Sequence, residues 1–519
     1  MFHTHTISGI IISAALYVIF FTGSISFLRH EIIAWERNEP VGDNYFSEVD
    51  FDSLLHTVEQ KHDLKGKDIS LYQRIEGQMA FTSISPSHGT PQQKENKRGE
   101  FFYTNLSNNK IEKYSDSYTL GEFFYRLHFF AQLNFFGRSG YLLSGLVAFF
   151  FLFAVITGVI VHWKKIISSF YVFRPREKWK TIWTDAHVAL GIIGLPYQFM
   201  FAVTGAYLII GYSIMLPPVK SILFNGDDKA LEAAAFTQDI TKYNYTGKAL
   251  EKPVSFNALV NETKNKWPNL KLNGLRIYNY GDVNMHVKVE GRSHYNENLL
   301  GTGHLTFNAL DGKIVEIKNP YGRTSYFEGT TDLLRRLHYG DFGGYGMKLI
   351  YFVLGLVTCF VILSGVLIWL VARDKKNVPE YKRKFNSWLV TIYMAICLSI
   401  YPMTALIFIV VKCFSGDYEG GNRALIYQVF FWGWLALSTL FIIKRNNYFT
   451  NKVALLLGSV LGFLVPISNG IVTGNWPWVT WQKGYSQIFV MDVFWIVLSL
   501  TAIAVFFKLK PQKVQKVME

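Results

Sequence analysis

Eight runs of about 20 mostly apolar residues, the length that crosses a bilayer, dominate this chain. Two long polar stretches break their rhythm. The runs fall near 7–28, 141–163, 188–212, 347–371, 387–411, 425–443, 453–472 and 488–507. With 50% of residues hydrophobic and only 17% charged, the balance is that of a polytopic membrane protein. The first run has no basic stretch ahead of it and no small-x-small cleavage site behind it, so it reads as a span and not as a removed signal.

The net charge of +14 resembles a nucleic-acid footprint until it is placed along the chain. Lys164, Lys165, Arg174, Arg176, Lys178 and Lys180 lie between spans 2 and 3, and Arg373, Lys375, Lys376, Lys382, Arg383 and Lys384 between spans 4 and 5. Further basic groups follow spans 6 and 8. If the spans alternate, every cluster falls on one side. The positive-inside rule makes that side cytoplasmic, with both termini inside. The charge is topology, and no nucleic-acid partner is expected.

Histidines mark an internal repeat. Span 1 opens on "HTISG" at His5 and contains Thr22-Gly23; span 3 opens on "HVALG" at His187 and contains Thr204-Gly205, at identical spacing. Spans 2 and 4 each follow an Arg-Leu-His, ending at His128 and His338, and each contains a small-Gly pair, Thr157-Gly158 or Ser364-Gly365. The first four spans are thus two copies of one unit. His5 and His187 are expected at the inner face, His128 and His338 at the outer. Two imidazoles at each face suit two b-type haems, whose iron takes paired histidines when it serves electron transfer. No C-x-x-C-H is present for covalent haem attachment, and Cys359, Cys397 and Cys413 form no C-x-x-C. An interfacial place at the span end is one rival reading of each histidine, and zinc is another, though cysteine or carboxylate company is missing. Arg126 and Arg336, just ahead of the two outer histidines, are expected at the haem edge, where a guanidinium pairs with a propionate. Headgroup contact is the rival for these arginines. His162, at the end of span 2, has no repeat mate and is a further candidate ligand. Spans 5–8 contain no histidine, so the haem sites are expected to survive without them.

Both polar stretches carry short alternating segments, such as "DISLYQRI" at 68–75 and "VNMHVKVE" at 283–290. Asp311-Gly312 marks a hairpin, and Ser255 caps a helix over "FNALVNETKNK". Each stretch reads as a small α+β domain. The expected fold is therefore all-α and polytopic, with about eight transmembrane helices, an internal duplication in the first four spans, and two small α+β domains. The division runs 1–28, 29–139, 140–163, 164–186, 187–212, 213–346, 347–371 and 372–519, the last being a four-helix membrane region.

The stretches "HTISG…FFTGS", "AVITGVIVHWKK", "FRPREKWKTIWTDAHVALGIIGLPYQFMFAVTG" and "LHYGDFGG…LSGVLIW", in this order over about 1–375, resemble the PepSY-associated transmembrane proteins. That family is linked to iron uptake and includes inner-membrane dihaem siderophore reductases. The resemblance implies PepSY-like periplasmic domains, a bacterial inner-membrane location and reduction of a periplasmic ferric siderophore or other ferric chelate. Electrons would come from a cytoplasmic or quinol donor. Family members often carry a histidine where this chain has Gln198. The alternatives are an iron or siderophore uptake transporter and a non-catalytic PepSY module.

Overall fold

The computed structural model describes residues 2–40, 45–73, 77–91, 99–165, 171, 174, 177, 179–227, 230–231, 243–294, 297–416 and 418–510. They form two compact units, one of residues 1–38, 118–215 and 345–519, the other of 39–117 and 216–344. Along the chain the helices are α1 (Phe2–Ser26), α2 (Arg29–Arg37), α3 (Phe51–Glu59), α4 (Leu120–His128), α5 (Ser139–His162), α6 (Trp179–Ala206), α7 (Leu216–Leu223), α8 (Phe256–Lys266), α9 (Tyr326–Tyr339), α10 (Gly344–Arg373), α11 (Glu380–Phe414), α12 (Gly421–Lys444), α13 (Asn447–Thr473), α14 (Pro477–Gln482) and α15 (Ser486–Lys508).

The first unit is a membrane bundle. Helices α1, α5, α6, α10, α11, α12, α13 and α15 are long and apolar enough to cross a bilayer, matching the eight expected spans. Their outer faces explain why such a chain needs lipid. On α5, Leu142, Leu146, Phe149, Phe153, Ile156 and Ile160 recur every three or four residues and are all exposed. A stripe of that kind is stable only against hydrocarbon. The bundle also takes in α2 and α4, which the sequence division had placed in the first loop domain.

The second unit is α+β, as expected, but the two loops share one sheet. Its strands are β1 (Lys67–Tyr72), β2 (Met79–Pro86), β3 (Glu100–Asn105), β4 (Ile111–Glu112), β5 (Leu270–Tyr278), β6 (His286–Ser293), β7 (Thr302–Asn308) and β8 (Ile314–Lys318), ordered β4-β3-β2-β1-β5-β6-β7-β8. Each loop supplies a four-stranded antiparallel meander, and the meanders join through their first strands, with Ile69 opposite Ile277 and Leu71 opposite Leu275. A lone four-stranded half would leave β1 or β5 as a bare edge; pairing them satisfies both. Helices α3 and α8 pack with one face of the sheet around Phe51, Leu55, Leu71, Leu259, Leu275 and Val289. Their N-termini cap one another: Asn257 accepts from the Phe51 N–H at 2.7 Å, and Asp52 from the Phe256 N–H at 2.6 Å. Ser255 caps α8 and Gly312 turns the β7–β8 hairpin at φ +75°, both as the sequence indicates.

The Arg-Leu-His motifs do not open spans directly. They close the short helices α4 and α9, which end before α5 and α10 begin. Phe130 at φ 56° breaks the chain after His128, and Gly340 at φ 63° caps α9 after His338. Left-handed backbone at these positions ends the helix and turns the chain into the span.

Candidate functional site

Three of the four repeat-placed histidines make the same contact. His5 on α1 places its Nδ1 2.9 Å from the Ala154 carbonyl of α5. His187 on α6 places Nδ1 2.9 Å from the Val361 carbonyl of α10. His128, at the end of α4, places Nδ1 2.8 Å from the Ile19 carbonyl of α1. Each carbonyl is followed three residues later by a hydroxyl residue, Thr157, Ser364 or Thr22, and four residues later by glycine, Gly158, Gly365 or Gly23. The hydroxyls turn back onto their own helix: Thr22 donates to Val18 O, Thr157 to Phe153 O and Ser364 to Val361 O. Ser364 also lies 3.1 Å from His187 Nδ1.

The glycine explains how a helical carbonyl can accept a second bond. In an α-helix the carbonyl of residue i already takes the N–H of residue i+4, and its second lone pair is shaded by the side chain there. Glycine removes that shade. A Cβ at Gly158 would lie 3.3 Å from His5 Cε1, one at Gly365 3.2 Å from His187 Cε1, and one at Gly23 2.6 Å from His128 Nδ1. Three of the four small-Gly pairs are therefore seats for imidazoles, while Gly205 of the fourth faces Ala148. The missed residues are the carbonyls of Ile19, Ala154 and Val361. The signal that marks them is the hydroxyl-Gly pair with a carbonyl four residues earlier.

The bond selects a tautomer. A neutral imidazole that gives its Nδ1 proton to a carbonyl keeps a lone pair on Nε2, the arrangement usual for metal-ligating histidine. Burial holds His128 below the ordinary imidazole range, outweighing the opposing effect of the Ile19 carbonyl, and so favours this neutral form. Ile19 lies fourteen residues beyond His5 on α1. At 1.5 Å per residue, the two histidine levels are about 21 Å apart along the helix.

The other expected residues are placed as follows. His338 is half-buried in the last turn of α9, in the sheet-bearing unit, its ring edge-on to Tyr339. His162 ends α5, and its side chain lies outside the described residues. Arg126 bonds Glu122 one turn back, and Glu122 also holds Arg29. Arg336 is buried, donating to the Ser293 carbonyl at 3.0 Å and to Asp341 at 3.3 Å. Both arginines thus have protein partners. Gln198 is buried on α6 with its amide 3.4 Å from the Thr358 hydroxyl. Among the described residues, no group of three or more His, Cys, Asp or Glu side chains comes together to hold a metal ion. The histidine seats fit haem by their donor chemistry, since an imidazole bonded through Nδ1 is in the tautomer whose Nε2 can ligate iron.

Comparison with curated proteins gives no match. A family model, that of the PepSY-associated TM region, matches residues 2–372, which takes in the four repeated spans, both loops and all three histidine seats. Spans 5–8 lie beyond the match. On this extent of agreement, the chain belongs to the PepSY-associated transmembrane family.

Proposed function

We propose that this chain is a b-type dihaem reductase of the bacterial inner membrane, which carries electrons to a periplasmic ferric siderophore or other ferric chelate and so releases ferrous iron. The observation that carries the reading is the threefold histidine seat. Imidazoles at two levels of one bundle are each held by Nδ1 to a carbonyl, which sets the tautomer whose Nε2 can ligate a metal. His5 and His187, equivalent in the repeat, would ligate one haem, and His128 the other; His338 is a candidate ligand on the sequence repeat alone. Bound there, haem iron supplies one-electron transfer.

The chain's own residues do the rest. The carbonyl bonds fix ring orientation and tautomer, and burial favours the neutral imidazole at His128. Gly23, Gly158 and Gly365 let the rings sit close against the neighbouring helix. The apolar bundle excludes water, which keeps the environment of the irons low in dielectric and tunes their potentials. A hard oxygen-donor chelate holds ferric iron more tightly than ferrous, so one electron is enough to loosen it. No general acid or nucleophile is required.

Purified protein should show a Soret band that shifts and sharpens on reduction, with close to two extractable haems per chain. His128→Ala and His338→Ala should each remove one haem and abolish ferric-chelate reduction, leaving the other haem reducible. Purified protein with bound zinc and no Soret band would end the proposal.

A further inference from the structure

His128 sits on a helix of only nine residues, too short to hold its own shape in isolation. This helix, α4, packs on α1 and α2, with Glu122 paired to Arg29, and the part of the chain beyond the family match adds aromatic and polar contacts of its own. Phe123 and Phe124 are fully buried. The Phe123 ring lies 4.8 Å from Phe430 of α12, and Phe124 stacks 6.1 Å from Phe408 of α11. The start of α4 is held by polar groups. Asn422 of α12 donates to the Tyr118 carbonyl at 2.7 Å and to Glu36 Oε1 at 2.8 Å, and the other oxygen of Glu36 accepts the Leu120 N–H at 2.7 Å.

Helix α2, which carries Glu36, is clamped by the same spans. Trp35 has no exposed surface; its indole donates to Asp492 of α15 at 2.8 Å, and Asn469 of α13 holds the second Asp492 oxygen at 3.1 Å. Lys412 of α11 lies 4.1 Å over the Trp35 ring and donates to the Trp35 carbonyl. Charged groups this deep are costly unless paired, and Lys412 and Asp492 both find their partners on α2.

We infer that the four C-terminal spans are a positioning scaffold for His128, fixing the angle and depth of α4 through its aromatic face and its start. The inference rests on the haem reading above for its functional meaning. It reverses the expectation that histidine-free spans are dispensable for the sites. They supply no ligand, yet a short helix fixed at one end and along one face delivers His128 to a set place against Ile19 and Gly23. His5 and His187 are seated on α5 and α10; there α11 makes separate contacts, Tyr393 donating to the Ile10 carbonyl at 3.0 Å and Val390 and Met394 packing on Val366, which do not involve Asn422 or Phe430.

The test uses full-length protein carrying Asn422→Ala, Phe430→Ala or the milder Phe430→Leu. Haem content and the midpoint potential of each haem are measured. The expected result is a selective effect: the haem held by His128 is lost or shifted in potential, the other is unchanged, and Phe430→Leu restores most of the wild-type behaviour. Folded variants with both haems unaltered overturn the inference, as does equal loss of both haems. If wild-type protein carries no haem, the functional proposal fails by itself and a second readout decides. Leu127→Cys, in a Cys413→Ser background, should be labelled by a membrane-impermeant thiol reagent faster with Asn422→Ala than without it. Equal labelling rates overturn the scaffold role.

Discussion

At Gly23, Gly158 and Gly365 the absence of one methyl group decides whether an imidazole can reach a carbonyl. The three positions are not equally strict. At Gly158 and Gly365 an added Cβ would meet the imidazole carbon at 3.3 and 3.2 Å, so the ring must shift by a few tenths of an ångström. At Gly23 it would lie 2.6 Å from His128 Nδ1, which no small adjustment accommodates. Gly23→Ala is therefore expected to break the His128–Ile19 bond and empty that haem site. Gly158→Ala and Gly365→Ala should keep both haems, with a change in the potential or spectrum of one. Haem content and reduced-minus-oxidised spectra of the three variants check the order; equal effects at all three positions contradict it.

At the scale of elements, the docking of α2 onto the C-terminal spans has a pH signature. Burial pushes the Glu36 carboxyl up to about 7, against the pull of the Leu120 N–H, the Asn422 amide and the charges of Arg37 and Lys412. Its ordinary value is 4.5. Between the two values the folded chain binds this proton and the unfolded chain does not. Stability must then fall as pH rises from 4.5 to about 7, and the loss is complete above that. Glu36→Gln should flatten this part of the profile. Thermal unfolding in detergent across the range, for wild type and variant, reads the difference; parallel profiles would show that Glu36 is already ionised in the fold.

At the scale of the whole molecule, the shared sheet constrains topology independently of charge. Strand β1 comes from the first long loop and β5 from the second, and they pair in register. Both loops must lie on one side of the membrane. The basic clusters at 164–180 and 373–384 fall between spans in the sequence and are expected on the other side, which the positive-inside rule predicts to be cytoplasmic. Reporters fused within 45–73 and within 243–294 are expected to be active in the periplasm, and one fused near Lys375 in the cytoplasm. A split result for the two loops would contradict the sheet, and a common cytoplasmic result would contradict the charge argument.

Periodicity and spacing are local properties, and what depends on them was legible in the linear chain. The eight spans needed only apolar length, the duplication only the matched spacing of His5 with His187 and of Thr22-Gly23 with Thr204-Gly205. The Ser255 cap and the Gly312 hairpin needed only the chemistry of adjacent residues. Three features required partners distant in sequence, and only the tertiary structure decided them. Strand β1 meets β5 across about 200 residues, because each half needs a second edge and nothing in either half says which edge it will find. The acceptors at Ile19, Ala154 and Val361 are backbone atoms, which carry no residue identity to read; only the glycine that uncovers them leaves a trace. The docking of Trp35 and Phe123 onto α11, α12 and α15 looks in the sequence like any aromatic near a membrane surface. Packing alone separates a lipid-facing ring from one that holds a helix in place.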